Sequence, residues 1–323
     1  MKIAIYGYGN LGRGVEAAAS QNKDITLTGV FTRRAPESIA SVSGVPVYAA
    51  ENVRDHRADI DVLIICCGSA TDLPQLTPAL AAQFNVVDSF DTHARIPAHH
   101  AAVDAAAKGS GHIALIAAGW DPGLFSISRL YAAAVLPEGK DYTFWGKGVS
   151  QGHSEAIRHI PGVLDARSYT IPLQDAMDRV RAGEMPELKP GEKHRRACYV
   201  AVEEEADRGA IAAAIQAMPN YFAGYDTSVA FVSPEELRKE HGRLPHGGSV
   251  IRTGITGAGH SQRIEFALEL ASNPEFTASV LVAGARAIHR MAARGVRGCV
   301  TMFDIPPADL ISLSGEELRA TLL

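Results

Sequence analysis

The chain has 323 residues, of which 46% are hydrophobic and 21% are charged, so it is long enough for two globular domains with cores of their own. Its net charge of -5 and the absence of a long basic block argue against nucleic acid as a partner. The sequence contains no apolar run of about eighteen residues and no recognisable signal peptide, so we expect a cytoplasmic protein without a membrane span.

The chain starts with a short apolar strand at residues 2–6, followed by GYGNLG and a helix-favouring segment at 13–20. The spacing G-x-G-x-x-G between a strand and a helix is typical of dinucleotide binding. In such a loop Gly7 makes the tight turn, Gly9 lets the backbone approach a pyrophosphate, and Gly12 lets the helix pack closely on the strand. The free N–H groups of the helix N-terminus then face the phosphates.

The second predicted strand, at 25–32, ends in Thr32-Arg33-Arg34. An NAD site usually places an acidic residue about twenty residues beyond the glycines, where it binds the ribose 2′-hydroxyl. Here that acid is missing, and two guanidinium groups suit a 2′-phosphate instead. We therefore predict NADP as the cofactor. The alternative is that both arginines belong to an ordinary solvated strand end.

The next segments repeat a buried-strand pattern, with apolar residues expected on both faces of each strand. Such strands belong to a parallel sheet that is covered by helices on both sides. Up to about residue 120 the pattern thus predicts a doubly wound α/β domain. The strands are expected at 61–68, 85–90 and 112–118, with helices at 74–83 and 97–108 between them.

Ligands of doubly wound domains bind beyond the carboxyl ends of the strands. The loops at 68–72, 89–93 and 119–123 should therefore face the cofactor and the substrate. Cys66 and Cys67 are neighbours in an apolar strand, so we expect them on opposite faces as buried structural thiols. The four cysteines have no CxxC spacing and the histidines no HExxH motif, so neither a disulfide nor a metal site is predicted.

From residue 124 onward strands are grouped with fewer helices, which predicts an α+β domain built on an antiparallel sheet with helices on one side. Residues 181–192 are expected to form an exposed connection, and 273–293 a long amphipathic helix that returns to the first domain. We place the first domain at 1–122, rejoined by 274–300, and the second at 123–273. Within the second domain we expect helices at 125–135 and 208–217 and strands at 141–145, 168–171, 196–202 and 228–232.

Two loops carry aromatic and acidic residues at strand ends. The loop AGWDPG places Trp120 and Asp121 after one predicted strand, and Asp91 follows the neighbouring one. Trp145 ends a strand in the second domain, shortly before SQGHS. Tryptophans are commonly core residues and aspartates commonly make turns or caps. Because these tryptophans and aspartates are grouped at strand ends of a nucleotide-binding fold, we favour a role for them in the cofactor and substrate site.

Seven motifs distributed from residue 2 to beyond 300 together resemble the meso-diaminopimelate dehydrogenases. They are GYGNLG, GSATD, AGWDPG, FWGKGVSQGHS, HRRACYV, LPHGG and NPEFTAS. These enzymes use NADP to interconvert a D-amino-acid centre and its 2-keto acid. The resemblance implies a Rossmann-type doubly wound parallel sheet with a second α+β domain for substrate binding and dimerisation, a homodimer, and meso-diaminopimelate as substrate.

The resemblance also implies roles for individual residues. Asp91 and Asp121 are expected beside the reacting D-centre as the catalytic residues, with Trp120 close by. Which of the two aspartates, if either, is the general base stays open. The distal L-centre is expected to bind Thr170, Arg196, His246 and Asn273. Trp145, Gln151 and Gly152 are expected to form the wall around the substrate, with Trp145 beside the D-centre. The expected cofactor residues are Gly7, Gly9, Asn10, Leu11, Gly12, Thr32, Arg33, Arg34, Gly68, Ser69, Ala70, Thr71, Asp72, Ser89, Phe90, Asp91, Gly119, Trp120, Pro122 and Gly123.

Two other interpretations stay open at this point. Another two-domain amino-acid-pathway reductase, such as a dihydrodipicolinate reductase or a semialdehyde dehydrogenase, would share the glycine loop, although the latter needs a nucleophilic cysteine in a polar loop. A catalytically silent NADP-binding sensor would keep the glycine loop but would have no reason to keep Arg196 and His246.

Overall fold

The computed structural model describes residues 1–323, which form two compact units. The first contains Met1–Ile127 and Pro274–Leu323, and the second contains Ser128–Asn273. None of the helices combines the length and the apolar character that a membrane span needs.

The secondary-structure elements are numbered in chain order. The strands are β1 (Lys2–Tyr6), β2 (Thr26–Thr32), β3 (Val47–Ala49), β4 (Val62–Ile65), β5 (Val86–Asp88), β6 (Ile113–Leu115), β7 (Gly139–Trp145), β8 (Gly148–Ser150), β9 (Val163–Pro172), β10 (His194–Val202), β11 (Thr227–Phe231), β12 (His246–Thr256), β13 (His260–Leu270) and β14 (Gly298–Val300). The α-helices are α1 (Asn10–Ser20), α2 (Leu73–Ala81), α3 (Ile96–Ser110), α4 (Leu124–Val135), α5 (Gln151–Arg158), α6 (Gln174–Arg181), α7 (Pro190–Lys193), α8 (Arg208–Ala217), α9 (Pro234–His241), α10 (Asn273–Ala293) and α11 (Gly315–Leu322). Short 3-10 helices lie at Pro36–Ser38, Ala50–Asp59, His93–Arg95, Gly257–Gly259 and Pro307–Leu310.

The first unit is built on a seven-stranded sheet in the order β14-β6-β5-β4-β1-β2-β3, and every neighbouring pair is parallel. Successive residues of β1 and β4 enter two different cores, with Ile3 and Ile64 on one face and Ala4 and Leu63 on the other. Because both faces are buried, helices cover the sheet on both sides. The predicted doubly wound α/β fold is confirmed.

The residues that follow β4 show the same alternation. Cys66 belongs to one core and Cys67 packs against the other, on opposite faces as expected. Burial raises the pKa of the Cys67 thiol to about 11, and that of Cys66 is also raised. Both are therefore protonated, unreactive thiols at neutral pH.

Two edge strands of this sheet were not predicted, because β3 and β14 contain three residues each and too few apolar positions to show a period. The helix predicted at 273–293 is present with the same bounds as α10. From Pro274 onward it belongs to the first unit, where Leu281, Ala285 and Ile288 lie in the core.

The second unit contains two sheets, so the prediction of a single antiparallel sheet is wrong. One sheet has the order β11-β10-β9-β8, and in it β10 pairs in parallel with β11 and antiparallel with β9. The other is an antiparallel sheet in the order β13-β12-β7. The segment predicted as an exposed connection at 181–192 also includes the start of the short helix α7.

The long β12–β13 hairpin was not predicted, and only one of its two strands has a clear period in the sequence. β12 carries glycines at its start and is buried along most of its length, whereas nearly every residue of β13 is exposed. β12 therefore lacks the alternation of apolar and polar residues that marks a half-buried strand, whereas β13 shows it from Ile264 to Leu270, a signal that sequence reasoning overlooked.

Candidate active site

The glycine loop begins where β1 ends, and its three glycines have different surroundings. Gly7 has a φ of +96°, and a Cβ there would lie 2.7 Å from the carbonyl oxygen of Cys66. A Cβ on Gly12 would clash with the carbonyl oxygen of Gly7. A Cβ on Gly9 would meet no protein atom within 4 Å. Protein packing thus explains Gly7 and Gly12, whereas Gly9 borders open space, as close approach of a pyrophosphate requires.

The arginines after β2 lie beside the glycine loop. The Arg33 guanidinium donates from Nη1 to Asp72 Oδ1 at 3.0 Å and from Nη2 to Asp72 Oδ2 at 2.9 Å. Arg34 donates from Nη2 to the carbonyl oxygen of Tyr8, within the glycine loop. Asp72 also accepts the Gly68 N–H at 3.0 Å, and the hydrogen bonds from Arg33 lower the pKa of its carboxyl. The structure therefore brings together three of the predicted cofactor segments.

The buried carboxylate of Glu16 holds the glycine loop through hydrogen bonds. Glu16, on α1, is only 4% exposed and accepts hydrogen bonds from the hydroxyl of Tyr8 and from the Ser43 N–H, the latter at 2.7 Å. Burial acts to raise the pKa of Glu16, but the hydrogen bonds from Ser43 and Tyr8 outweigh it and lower this pKa. Sequence reasoning missed this residue, although a glutamate on the apolar face of α1 was a visible signal.

The ends of β5 and β6, which are neighbours in the sheet, are fixed by Asp88. This residue is fully buried, and its Oδ1 accepts the N–H groups of Phe90 at 3.1 Å and of Ala117 at 3.0 Å. Its Oδ2 accepts the Thr77 hydroxyl at 2.8 Å and contacts His99 Nε2 at 2.7 Å. One carboxylate thus holds the two loops that carry Asp91 and Asp121, a role that the sequence did not reveal.

The predicted residues at these strand ends differ in exposure. Asp91 is exposed, and its Oδ1 accepts the Ser69 hydroxyl at 2.5 Å, which joins the loops after β5 and β4. Phe90 is buried and stacks on His99, with ring centroids 4.2 Å apart. Trp120 is also buried, packing edge-on against Phe125 at 5.3 Å, and the bond from Asp121 to Pro122 is cis.

In the second unit, Arg196 lies opposite Thr170 in the β10–β9 pairing and donates from Nη1 to its hydroxyl. Arg196 is 8% exposed, and its Nε is buried without a hydrogen-bond partner. No carboxylate lies within ion-pair distance of it. The other two buried arginines are paired, Arg252 with Asp141 at 2.8 Å and Arg286 with Asp24 at 2.6 Å. Arg196 is therefore a buried cation without a counter-ion in the protein.

Several predicted residues surround this cation. Gly148 on β8 pairs with Thr170, and a Cβ added to Gly148 would clash with the Cα of His246 and lie 2.5 Å from its Cγ. The Asn273 N–H donates to the carbonyl oxygen of Leu244 at 2.9 Å, so Asn273 lies beside the segment that leads into His246. Thr170, Arg196 and His246 therefore lie close together in the second unit. Gln151 and Gly152 are exposed at the start of α5.

Three imidazoles near Arg196 are held neutral. Burial lowers the pKa of His153 to about 4 and that of His194 to about 3, and it also lowers the pKa of His246. The charge of Arg196 adds to the effect in each case. These histidines therefore bring no further positive charge at neutral pH.

His194 also positions Trp145, which sequence reasoning did not foresee. Its Nε2 accepts the Trp145 N–H at 2.7 Å, and the two rings stack with centroids 5.4 Å apart. A neutral imidazole is required for this contact, because a protonated ring has no acceptor nitrogen.

Comparison with known proteins gives concordant results. The family model described as the diaminopimelic acid dehydrogenase C-terminal domain matches residues 119–272. A protein of Ureibacillus thermosphaericus named meso-diaminopimelate D-dehydrogenase is 55% identical over 323 residues, covering 100% of this chain and 99% of that protein. This chain belongs to the meso-diaminopimelate D-dehydrogenase family.

Solved structures agree with this family. The diaminopimelate dehydrogenase of Corynebacterium glutamicum in complex with DAP is 43% identical and has a TM-score of 0.94, covering 100% of this chain and 99% of that one. An engineered D-amino acid dehydrogenase bound to NADP+ is 42% identical with a TM-score of 0.90, at the same coverage. The family predicted from the sequence motifs is therefore confirmed.

The different surroundings of the glycines generate a testable contrast. Gly9→Ala should leave the free energy of unfolding nearly unchanged, since the added methyl group meets no protein atom and a φ of -90° suits alanine. It should weaken binding of the dinucleotide by on the order of tenfold, because the methyl group occupies the space of the pyrophosphate. Gly12→Ala should instead destabilise the fold by about 1–3 kcal/mol. Chemical denaturation and cofactor titration measure the two effects, and equal loss of stability in both variants would contradict this account of the loop.

Proposed function

We propose that this chain catalyses the NADP-dependent, reversible oxidative deamination of meso-2,6-diaminopimelate at its D-centre, which yields L-2-amino-6-oxopimelate and ammonia. The observation that carries the proposal within the structure is the unpaired, buried charge of Arg196. Family membership supplies the reaction class.

A buried guanidinium without a counter-ion is costly, because its transfer out of water is not offset by an attraction within the protein. The partners of Arg252 and Arg286 show how this chain compensates buried arginines that have a structural role. For Arg196 the compensation is supplied by a ligand carboxylate, which can accept the unused Nε–H in a charge-assisted hydrogen bond. We assign the carboxylate of the distal L-centre to Arg196 and Thr170, with His246 and Asn273 beside them.

The reacting end of the substrate is assigned to Asp91 and Asp121. Before hydride can leave the D-centre Cα, the ammonium group has to lose a proton, and either carboxylate has the acid–base chemistry for this step. The two negative charges also attract the ammonium group and hold the Cα in place. The imine that remains is hydrolysed, with water adding to the carbon and ammonia leaving.

The residues around the glycine loop fit a phosphorylated dinucleotide. The open space at Gly9 leaves room for a pyrophosphate, and the exposed Arg33 guanidinium with Arg34 beside it offers positive charge for a 2′-phosphate. NADP+, when bound, supplies the hydride acceptor. In this proposal Asp72 orients Arg33, and the loop residues from Gly68 to Asp72 border the cofactor.

The function is tested by mixing the protein with NADP+ and each stereoisomer of diaminopimelate, and by following the absorbance of the reduced cofactor. The meso isomer alone should be oxidised, because only it combines a D-centre for reaction with an L-centre for the distal site. Oxidation of the LL isomer at a comparable rate, or no oxidation of any isomer, would contradict the proposal.

The cofactor preference is tested with the double variant Arg33→Ala/Arg34→Ala. Each charge-assisted hydrogen bond is worth roughly 1.5–3 kcal/mol, so binding of NADPH should weaken by several kcal/mol while binding of NADH hardly changes. Arg54→Ala, at an exposed arginine of the same unit, serves as the control and should leave both affinities unchanged. An equal loss for NADPH and NADH would rule out a 2′-phosphate at these arginines.

We further propose that the chain forms a homodimer through the β13-β12-β7 sheet. Nearly all residues of β13 are exposed, among them Ile264 at 37% and Phe266 at 39%, and β13 is an edge strand eleven residues long. A long exposed edge strand with apolar residues is a ready site of association.

Sedimentation should show a dimer at micromolar concentration, and Ile264→Glu should weaken the dimer. A species near 34 kDa for the unsubstituted chain would count against the proposed homodimer.

A further inference from the structure

We propose that Tyr225 is the positioning residue for Arg196: its ring supports the guanidinium group face-on and takes the place of a counter-ion, so that the edge of the guanidinium stays available to the substrate carboxylate. The inference rests on the proposed function, in which Arg196 binds the distal carboxylate. None of the sequence motifs pointed to Tyr225, which lies in the segment between α8 and β11.

The geometry is that of a cation–π contact. The Arg196 Cζ lies 4.4 Å from the centroid of the Tyr225 ring, well inside the range of about 6 Å over which such contacts are attractive. Three other aromatic rings of the second unit face cations at larger distances: Phe231 with Arg208 at 5.7 Å, Tyr142 with Lys140 at 5.7 Å, and Trp145 with Lys193 at 6.0 Å. The Tyr225 contact is closer than all three, and it is made by a buried cation.

The backbone holds the ring under the guanidinium. The Arg196 N–H donates to the carbonyl oxygen of Asp226 at 2.8 Å, and Arg196 is in register with Thr227 in the β10–β11 pairing. The Thr227 hydroxyl donates to the carbonyl oxygen of Tyr225 at 3.3 Å. Tyr225 is therefore placed by the strand that neighbours Arg196 and not by a separate loop.

A ring differs from a carboxylate because it does not occupy the N–H donors of the guanidinium group. At Arg252 the guanidinium donates to Asp141 and to the carbonyl oxygens of Leu136 and Pro137, so all of its donor nitrogens are occupied. The Tyr225 ring lies against the Arg196 Cζ, while hydrogen bonds to a carboxylate are made in the guanidinium plane. Apart from the bond to Thr170 and an interaction with the Tyr225 hydroxyl, the Arg196 donors include an Nε–H that is left for a ligand.

The electrostatics agree with this arrangement. Burial lowers the pKa of Arg196, and the phenol group of Tyr225 acts in the opposite direction through its charge and a hydrogen bond, in addition to the attraction of the ring face. The nearby His153, His194 and His246 are neutral and provide no counter-ion. Tyr225 is the protein group that offsets part of the cost of burying this cation.

The test is a double-mutant cycle on meso-diaminopimelate oxidation with NADP+. Tyr225→Phe keeps the ring face, Tyr225→Leu removes it, and both are made in the unsubstituted chain and in Arg196→Ala. Phe231→Leu is the matched control, because it removes an arginine–aromatic contact from the adjoining strand β11. KM, kcat and the dissociation constant of NADP+ are measured for every variant.

Tyr225→Leu should raise KM roughly ten- to thirtyfold, with kcat and NADP+ affinity nearly unchanged, whereas Tyr225→Phe and Phe231→Leu should stay close to the unsubstituted enzyme. In the Arg196→Ala background Tyr225→Leu should add less than about twofold, because the interaction is already gone. If Tyr225→Leu fails to fold, Tyr225→Met, which fills more of the volume of the ring, replaces it with the same expected result.

Three outcomes would overturn the inference: an unchanged KM in Tyr225→Leu, a tenfold rise of KM in Tyr225→Phe, or the same fold-increase of KM with and without Arg196. An unsubstituted enzyme that does not oxidise meso-diaminopimelate at all would instead refute the proposed function, so the two failures are distinguishable.

Discussion

A guanidinium group inside a protein must find a compensating partner, and the arrangement around Arg196 follows from that constraint. The chain provides Asp141 for Arg252 and Asp24 for Arg286, but it surrounds Arg196 with a hydroxyl, neutral imidazoles and an aromatic face. Each of these groups tolerates or moderately favours the cation without neutralising it. A carboxylate ligand therefore gains more binding free energy at Arg196 than it would at an arginine that is already paired.

In the first unit, the loops at the carboxyl ends of the parallel strands have to be held in place. These loops have no sheet hydrogen bonds of their own, so side chains have to fix them. Asp88 binds the backbone after β5 and β6, Asp72 joins the loop after β4 to Arg33, and Glu16 holds Tyr8. Buried or half-buried carboxylates thus support the loops, whereas Asp91 at the surface keeps its charge accessible.

The sequence predicted those parts of the structure whose signals are local. A glycine loop between a strand and a helix, and apolar runs that alternate with helical segments, were sufficient for the parallel sheet, because burial on both faces leaves a continuous apolar pattern. The β12–β13 hairpin lacks such a continuous apolar run, because glycines and polar residues interrupt β12 and the apolar residues of β13 alternate with others. β14 was too short to be recognised.

In the candidate site, residues that depend on long-range contacts were the ones that sequence reasoning missed. Asp88 reads as an ordinary residue at a strand end, and only the fold shows that it accepts hydrogen bonds from two loops. His194 and Tyr225 matter through Trp145 and Arg196, which are tens of residues away in the chain. Arg196 itself was identified through the family resemblance, and its missing counter-ion became visible only in three dimensions.

The central claim is that Arg196 binds the carboxylate at the distal end of the substrate. The most direct measurement compares kcat/KM of Arg196→Ala and of the unsubstituted enzyme, for meso-diaminopimelate and for a short D-amino acid that lacks a distal carboxylate. The account predicts a loss of about 3–5 kcal/mol in kcat/KM for meso-diaminopimelate, a small change for the short substrate, and unchanged affinity for NADP+. An equal loss for both substrates, or a loss of NADP+ affinity with intact turnover of meso-diaminopimelate, would contradict it.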